Sequence, residues 1–149
     1  MPGADHACFL CQAAAIYEPL SNANRRLLVA ERGSHSLVVL NRYPYNNGHL
    51  LVAPCRHTGE LCDVTRDEHL DCMQQLAQFM NTYRERLGAQ GFNVGLNLGR
   101  AAGAGLPGHL HWHLVPRWAG DNNFMPVLAG IRVIPQSLDA LWEMLTKSE

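Results

Sequence analysis

The chain has 149 residues, enough for one domain with a sizeable core, and its composition, 47% hydrophobic and 17% charged, is that of a globular protein. A formal net charge of −1 supplies no basic field for nucleic acid, and no stretch is long and apolar enough to span a bilayer. The start, MPGADHACFLCQ, lacks the basic-then-apolar pattern of a secretory signal, and the five cysteines are odd in number and unevenly spaced, so the expectation is a single domain over residues 1–149 in the reducing cytoplasm.

Residues 1–24 carry little periodic pattern beyond Cys8 and Cys11. Residues 26–31 (RLLVAE) and 36–41 (SLVVLN) read as two strands joined by a turn at Gly33-Ser34. Residues 42–48 (RYPYNNG) read as a loop, and residues 49–54 (HLLVAP) as a third strand ended by Pro54. Residues 65–87 predict a long helix. Thr65 and Glu68 have the form of a capping box, Leu70, Met73, Leu76, Met80, Tyr83 and Leu87 recur as one apolar face, and Gly88 and Gly91 are stop signals.

Residues 92–98 (FNVGLNL) read as a fourth strand, residues 99–108 as a glycine-rich loop and residues 109–116 (HLHWHLVP) as a fifth strand. Residues 117–123 form a polar loop, and Pro135 opens a short terminal helix through Leu138, Leu141, Trp142 and Leu145. The predicted class is α+β: an antiparallel sheet of about five strands, one long helix and a short C-terminal helix. Cys55, Cys62 and Cys72 read as small buried or half-buried residues.

The strongest functional signal is the segment from His109 onward. A strand sends alternate side chains to opposite faces, so His109, His111 and His113 point one way and Leu110, Trp112 and Leu114 the other. Same-face neighbours on a strand stand about 6.5–7 Å apart, which brings all three imidazoles to one ligand-sized site. Two chemistries are open to them. Imidazole is a common metal ligand, and a neutral imidazole can attack phosphorus and later leave, dividing one difficult displacement into two. Periodicity does not separate the two. The loop ending at His109 favours the second, because glycine-rich backbone can turn several N–H groups toward a phosphate.

These residues carry a resemblance. HLHWHLV is similar to the His-x-His-x-His-x-x signature of the histidine triad (HIT) family. Asn41-Arg42-Tyr43-Pro44 followed by Gly48-His49-Leu50-Leu51-Val52 resembles the family's ribose-binding Asn and its Pro-Gly-His-x-Leu-Val strand, and Asn97-Leu98-Gly99 its amide-x-Gly. FNVGLNLG, HLHWHLVPRW, GDNNF and VIPQ are similar to the branch that phosphorolyses diadenosine tetraphosphate. The resemblance implies a HIT-like fold, a homodimer and cleavage of a dinucleoside polyphosphate through a nucleotidyl-histidine. It makes His111 the nucleophile, has His113 contact the phosphate or leaving group, and has His49 orient His111 or the loop. Asn41 would hold the ribose, Asn97 a phosphate oxygen, Gly105 and Leu106 the phosphate through the loop, and Trp118 would line the cleft. Trp112 faces away from the histidines, toward the core or a subunit contact, and Tyr43 and Tyr45 are open either to packing or to stacking on a base.

The chain departs from the family at one place. A Ser or Thr that bonds the α-phosphate shortly before the triad is replaced by Ala104-Gly105-Leu106-Pro107. A hydrogen bond to a charged group is worth about 1.5–3 kcal/mol. The acceptor, water or inorganic phosphate, is therefore left open. So are the related substrates, nucleoside phosphoramidates and adenylylated amines, and a nucleotide-binding sensor without turnover.

Cys8-x-x-Cys11 can chelate zinc, act as a redox pair or be inert. A closed structural zinc site needs four ligands, and no second Cys-x-x-Cys is present. The family's zinc pattern adds a histidine just after the third strand and the first triad histidine, which implies Cys8, Cys11, His57 and His109 around a structural zinc with no part in the chemistry.

Overall fold

The computed structural model describes residues 7–16, 21–121 and 137–147. Strands β1 (Val29–Arg32), β2 (Ser36–Leu40), β3 (Leu50–Pro54), β4 (Gly91–Leu96) and β5 (Trp112–Arg117) form one antiparallel sheet in the order β1-β2-β3-β5-β4. The central strands β2 and β3 are buried along their whole length, which is why their sequences are apolar runs instead of alternating ones.

The two faces of the sheet are covered by different helices. On one face Val38, Leu40, Leu50, Val52 and Leu114 pack against α3 (Arg66–Leu87) and α4 (Leu138–Thr146), with Leu76, Phe79, Tyr83, Leu141 and Trp142 filling the layer. Burial of each large side chain contributes about 1.5–3 kcal/mol. On the other face Val29, Leu37, Val39, Leu51 and Ala53 meet α1 (Phe9–Ala14), six residues long, through Cys8, Leu10, Ala13 and Ala14. Among the described residues no helix is long and apolar enough to cross a membrane.

Helix α3 begins as its sequence predicts. The Thr65 hydroxyl accepts from the Glu68 N–H at 3.1 Å and the Glu68 carboxylate from the Thr65 N–H at 2.9 Å. It ends at Gly88, whose φ of 63° is left-handed. Its buried stripe is rotated from the predicted one. Cys72, Leu76, Phe79 and Tyr83 face the sheet, whereas Leu70 and Met73 are 56% and 41% exposed. Two overlapping apolar stripes share Leu76 and Tyr83, and tertiary contact selects between them. The Tyr83 hydroxyl fixes the choice by donating to the Gly48 carbonyl at 2.7 Å.

Other boundaries also move. The strand predicted from residue 26 starts at Val29, because Ser21 caps a short helix, α2 (Asn22–Arg26), and Leu28 turns the chain with φ of 60°. The strand predicted from His109 joins the ladder only at Trp112, paired with Val52. Before that point Leu110 N–H donates to the Thr58 carbonyl, and the Pro54 carbonyl is taken by the His109 ring, so the loop after β3 replaces the ladder. Cys72 is buried and Cys55 half-buried, but Cys62 is exposed in the short turn before α3. Ser137 caps α4; Pro135, Asn122 and Asn123 lie outside the described residues.

Candidate active site

β3 and β5 pair with Leu51 opposite His113, on the face that α1 covers only in part. That uncovered area is a cleft of about 360 Å³. His111 and His113 form one wall, and Asn97, Gly103, Gly105 and Leu106 supply the loop side. Asn41, Tyr43, Tyr45, Leu51 and Phe9 complete it. An apolar pocket of about 300 Å³ adjoins it, sharing Phe9, Asn41, Tyr43 and Leu51 and adding Leu27, Leu28, Leu40 and Arg42.

The three triad histidines do not share one site. His111 and His113 lie side by side, ring centroids 5.0 Å apart, whereas His109 is fully buried against His57 at 5.2 Å. The strand alternation assumed for all three holds only from Trp112 onward, which is why His109 is free to turn elsewhere.

Fixed donors and acceptors around the rings determine where each proton sits. The His109 carbonyl can only accept, so at 3.0 Å it takes the Nδ1 proton of His111 and leaves Nε2 with a free lone pair. The Tyr45 N–H can only donate, and it reaches His49 Nδ1 at 3.1 Å. Neutral His49 then carries its proton on Nε2, 2.9 Å from His113 Nδ1. His113 in turn carries its own proton on Nε2. The pair His111 and His113 therefore presents one nucleophilic nitrogen and one N–H donor.

All these rings are biased toward the neutral form. Burial pushes His49 down to about 4, with His113 and His111 nearby adding to the effect. Burial likewise lowers His111, partly opposed by the His109 carbonyl, and lowers His113, with His111 adding. Gly48, the residue before His49, lets the chain pass close to Tyr83 and Pro116. Its φ is 82°, and a Cβ there would meet Pro116 Cγ at 3.1 Å and Tyr83 Cζ at 3.2 Å.

On the far side of His109 lies a metal-binding arrangement. Cys8, Cys11, His57 and His109 each offer a ligand atom, all within 4.8 Å of one another. The His109 Nε2 donates to the Pro54 carbonyl at 2.7 Å, so Nδ1 presents its lone pair to the Cys8 and Cys11 sulfurs, both 3.4 Å away. His57 Nδ1 is 3.2 Å from the Cys11 sulfur. Tetrahedral zinc with thiolate and imidazole ligands has ligand–ligand edges of about 3.4–3.8 Å; the three sulfur–imidazole contacts are near that range, and the widest pair, within 4.8 Å, would close by about 1 Å around an ion. Burial pushes the Cys8 thiol up to about 11, and a dication reverses that preference by displacing the proton.

A family model described as "HIT domain" matches residues 26–120. The chain belongs to the HIT family. Among HIT relatives it is 48% identical over 111 residues to AP-4-A phosphorylase of Mycobacterium tuberculosis, an alignment covering 74% of this chain and 57% of that one. It is 30% identical over 92 residues to a bis(5'-adenosyl)-triphosphatase of Saccharomyces cerevisiae, covering 61% of this chain and 44% of the relative. The chain thus spans about half the length of these curated relatives. A Zn-bound histidine triad family protein from Mycobacterium smegmatis superposes with a TM-score of 0.71 at 26% identity, covering 94% of this chain and 91% of that chain.

Most residues singled out in the HIT motifs converge on the cleft: Asn41, Asn97, Gly105, Leu106, His111 and His113 line it, and His49 stands behind His113. Trp118 is not brought there. Its indole N–H donates to the Leu87 carbonyl at 3.0 Å and its ring packs on the α3 side of the core. Asn41 turns its side-chain carbonyl to the Tyr43 N–H at 2.9 Å. Among the described residues, no Ser or Thr lines the cleft. Phe9, Leu51 and Gly103 line the cleft without having been singled out as site residues: Leu51 read as part of a strand, Gly103 as part of the glycine-rich loop, and the only signal at Phe9 was an apolar residue held between two cysteines.

Proposed function

We propose that the protein cleaves dinucleoside polyphosphates, diadenosine tetraphosphate foremost, at the α-phosphate through a nucleotidyl-His111 intermediate. The observation that carries this reading is the 3.0 Å contact of His111 Nδ1 with the His109 carbonyl, which can only accept and so assigns the ring proton to Nδ1, leaving Nε2 as the nucleophile on a residue that lines the cleft. In the first step Nε2 forms a bond to the α-phosphorus while the bond to the polyphosphate oxygen breaks, and His113 Nε2–H supplies a donor to that departing oxygen. The Gly103–Leu106 side of the cleft takes phosphate oxygens, with Asn97 beside it, and the apolar pocket takes the nucleoside, with Asn41 at the ribose. Water or inorganic phosphate then releases the nucleotide from His111. The similarity to AP-4-A phosphorylase and to a bis(5'-adenosyl)-triphosphatase supports the substrate class.

The lack of a Ser or Thr hydroxyl among the described lining residues favours water as the acceptor. Incubation with diadenosine tetraphosphate, with and without phosphate, discriminates: hydrolysis gives ATP and AMP, phosphorolysis ATP and ADP. His111→Ala is expected to abolish turnover and any acid-labile labelled adduct, and retained activity in that variant refutes the covalent route.

Zinc at Cys8, Cys11, His57 and His109 belongs to the same reading as a structural ion, because four protein ligands leave it no open position. Metal analysis of Cys8→Ser and His57→Ala is expected to show lost zinc, and full occupancy in either removes this ligand set. A homodimer is supported by the exposed Leu70 and Met73 on α3 and by the exposed edge strand β4 with Val94, and sedimentation tests it. The free cysteines suit a cytoplasmic setting.

A further inference from the structure

Three contacts run from the metal cluster to the wall of the cleft. The first is α1, which carries Cys11 and is capped by Cys8, the two cysteines lying on either side of Phe9 in the chain. Phe9 lines both the cleft and the apolar pocket and remains 41% exposed. A six-residue helix does not persist on its own. Leu10, Ala13 and Ala14 pack it on the sheet and the Arg32 guanidinium donates to the Ala13 and Ala14 carbonyls, while the contacts of the two sulfurs with His57 and His109 tie it to the chemistry-bearing segments.

The second contact is the loop. A Cβ on Gly108 would stand 3.1 Å from His57 Nε2, and a Cβ on Gly59 would collide with the Pro107 carbonyl. The segment bearing His57 is thus pressed against residues 107–108, next to Leu106 in the cleft wall. The third is the main chain of His109, a ligand whose carbonyl holds the His111 proton.

We propose that metal and nucleotide bind with positive coupling, Phe9 being the main link, so that each raises the affinity for the other. The coupling rests on the nucleotide-binding reading above. A metal on the four ligands joins α1, the loop after β3 and the histidine segment into one unit. The wall that a nucleoside needs is then already in place when the nucleotide arrives. Without the metal, the wall is complete only in a fraction of molecules, and the apparent affinity falls by that fraction. Linkage requires the reciprocal effect on the metal.

The test reads zinc, not turnover. Zinc-loaded protein is equilibrated with a chromogenic chelator with and without saturating AMP, against a blank of chelator, zinc and AMP. AMP is expected to raise the apparent zinc affinity about tenfold, within the usual range of coupling between two sites. Phe9→Ala keeps all four ligands, so it is expected to retain its AMP-free zinc affinity and to lose most of the AMP effect. Zinc affinity indifferent to AMP, in protein that calorimetry shows to bind AMP, overturns the coupling. An AMP effect undiminished in Phe9→Ala overturns the role of Phe9. Zinc-loaded protein that binds no AMP overturns the nucleotide reading itself, a result separable from both.

Discussion

His49 offers a quantitative test of the hydrogen-bond order around the cleft. It is 1% exposed, accepts from the Tyr45 N–H and donates to His113, and burial holds its pKa at about 4 against an ordinary value of 6.5. Because the folded value lies below the unfolded one, the unfolded chain binds the extra proton between these limits. Stability is therefore fully present above pH 6.5 and is lost as the pH falls toward 4. The displacement is equivalent to about 3 kcal/mol in full, of which roughly 2–3 kcal/mol falls between pH 7 and 4.5. His49→Gln keeps a donor toward His113 and does not titrate. Urea melts of zinc-loaded wild type and variant at pH 7 and 4.5 are expected to show the wild type losing about 2–3 kcal/mol more than the variant. Equal losses would mean that His49 is not held neutral, and the proton assignment along Tyr45, His49 and His113 would fail with it.

Three further outcomes follow from the same geometry. Tyr45→Pro removes the nearer of two donors to His49 Nδ1, the Asn41 amide at 3.3 Å being the other, so nitrogen NMR of Tyr45→Pro combined with Asn41→Ala should show His113 losing its single tautomer, whereas Tyr45→Phe keeps it. Because burial lowers His111 and the proposed nucleophile must be neutral to attack, the acid limb of kcat/KM is expected below pH 6.5, with activity falling as pH drops; a limb above that value refutes the assignment. Thr65→Ala breaks the capping box at the far end of α3 and is expected to lower stability by about 1 kcal/mol, read by urea melts, with kcat/KM unchanged.

Features set by short-range chemistry were legible in the sequence. The capping box of α3, the apolar runs of β2 and β3 and the Cys-x-x-Cys pair each depend on residues a few positions apart. The metal cluster was reachable because cysteine and histidine are scarce, chemically specific and matched by a family pattern. What depended on tertiary choice was not legible. Two apolar stripes on α3 overlap, and only the docking of Phe79 and Tyr83 on the sheet decides between them. Alternation placed three imidazoles together, but Pro54 ends β3 and its carbonyl draws His109 away. Trp118 turned to the Leu87 carbonyl because a main-chain acceptor there satisfies its N–H. Phe9 carries no pattern of its own, since its place in the cleft is set by the cysteines on either side.

The acceptor that fixes the proton of His111 is a main-chain carbonyl, that of His109. Every amino acid that could replace His109 brings the same carbonyl, so no exchange of side chains deletes the group, although it can shift it. An alanine scan would score position 109 for its imidazole and pass over the oxygen. Only replacing the amide that follows His109 by an ester, which weakens that oxygen as an acceptor, would address it directly. The proton on which the proposed mechanism turns is thus held by a group that no exchange of side chains removes.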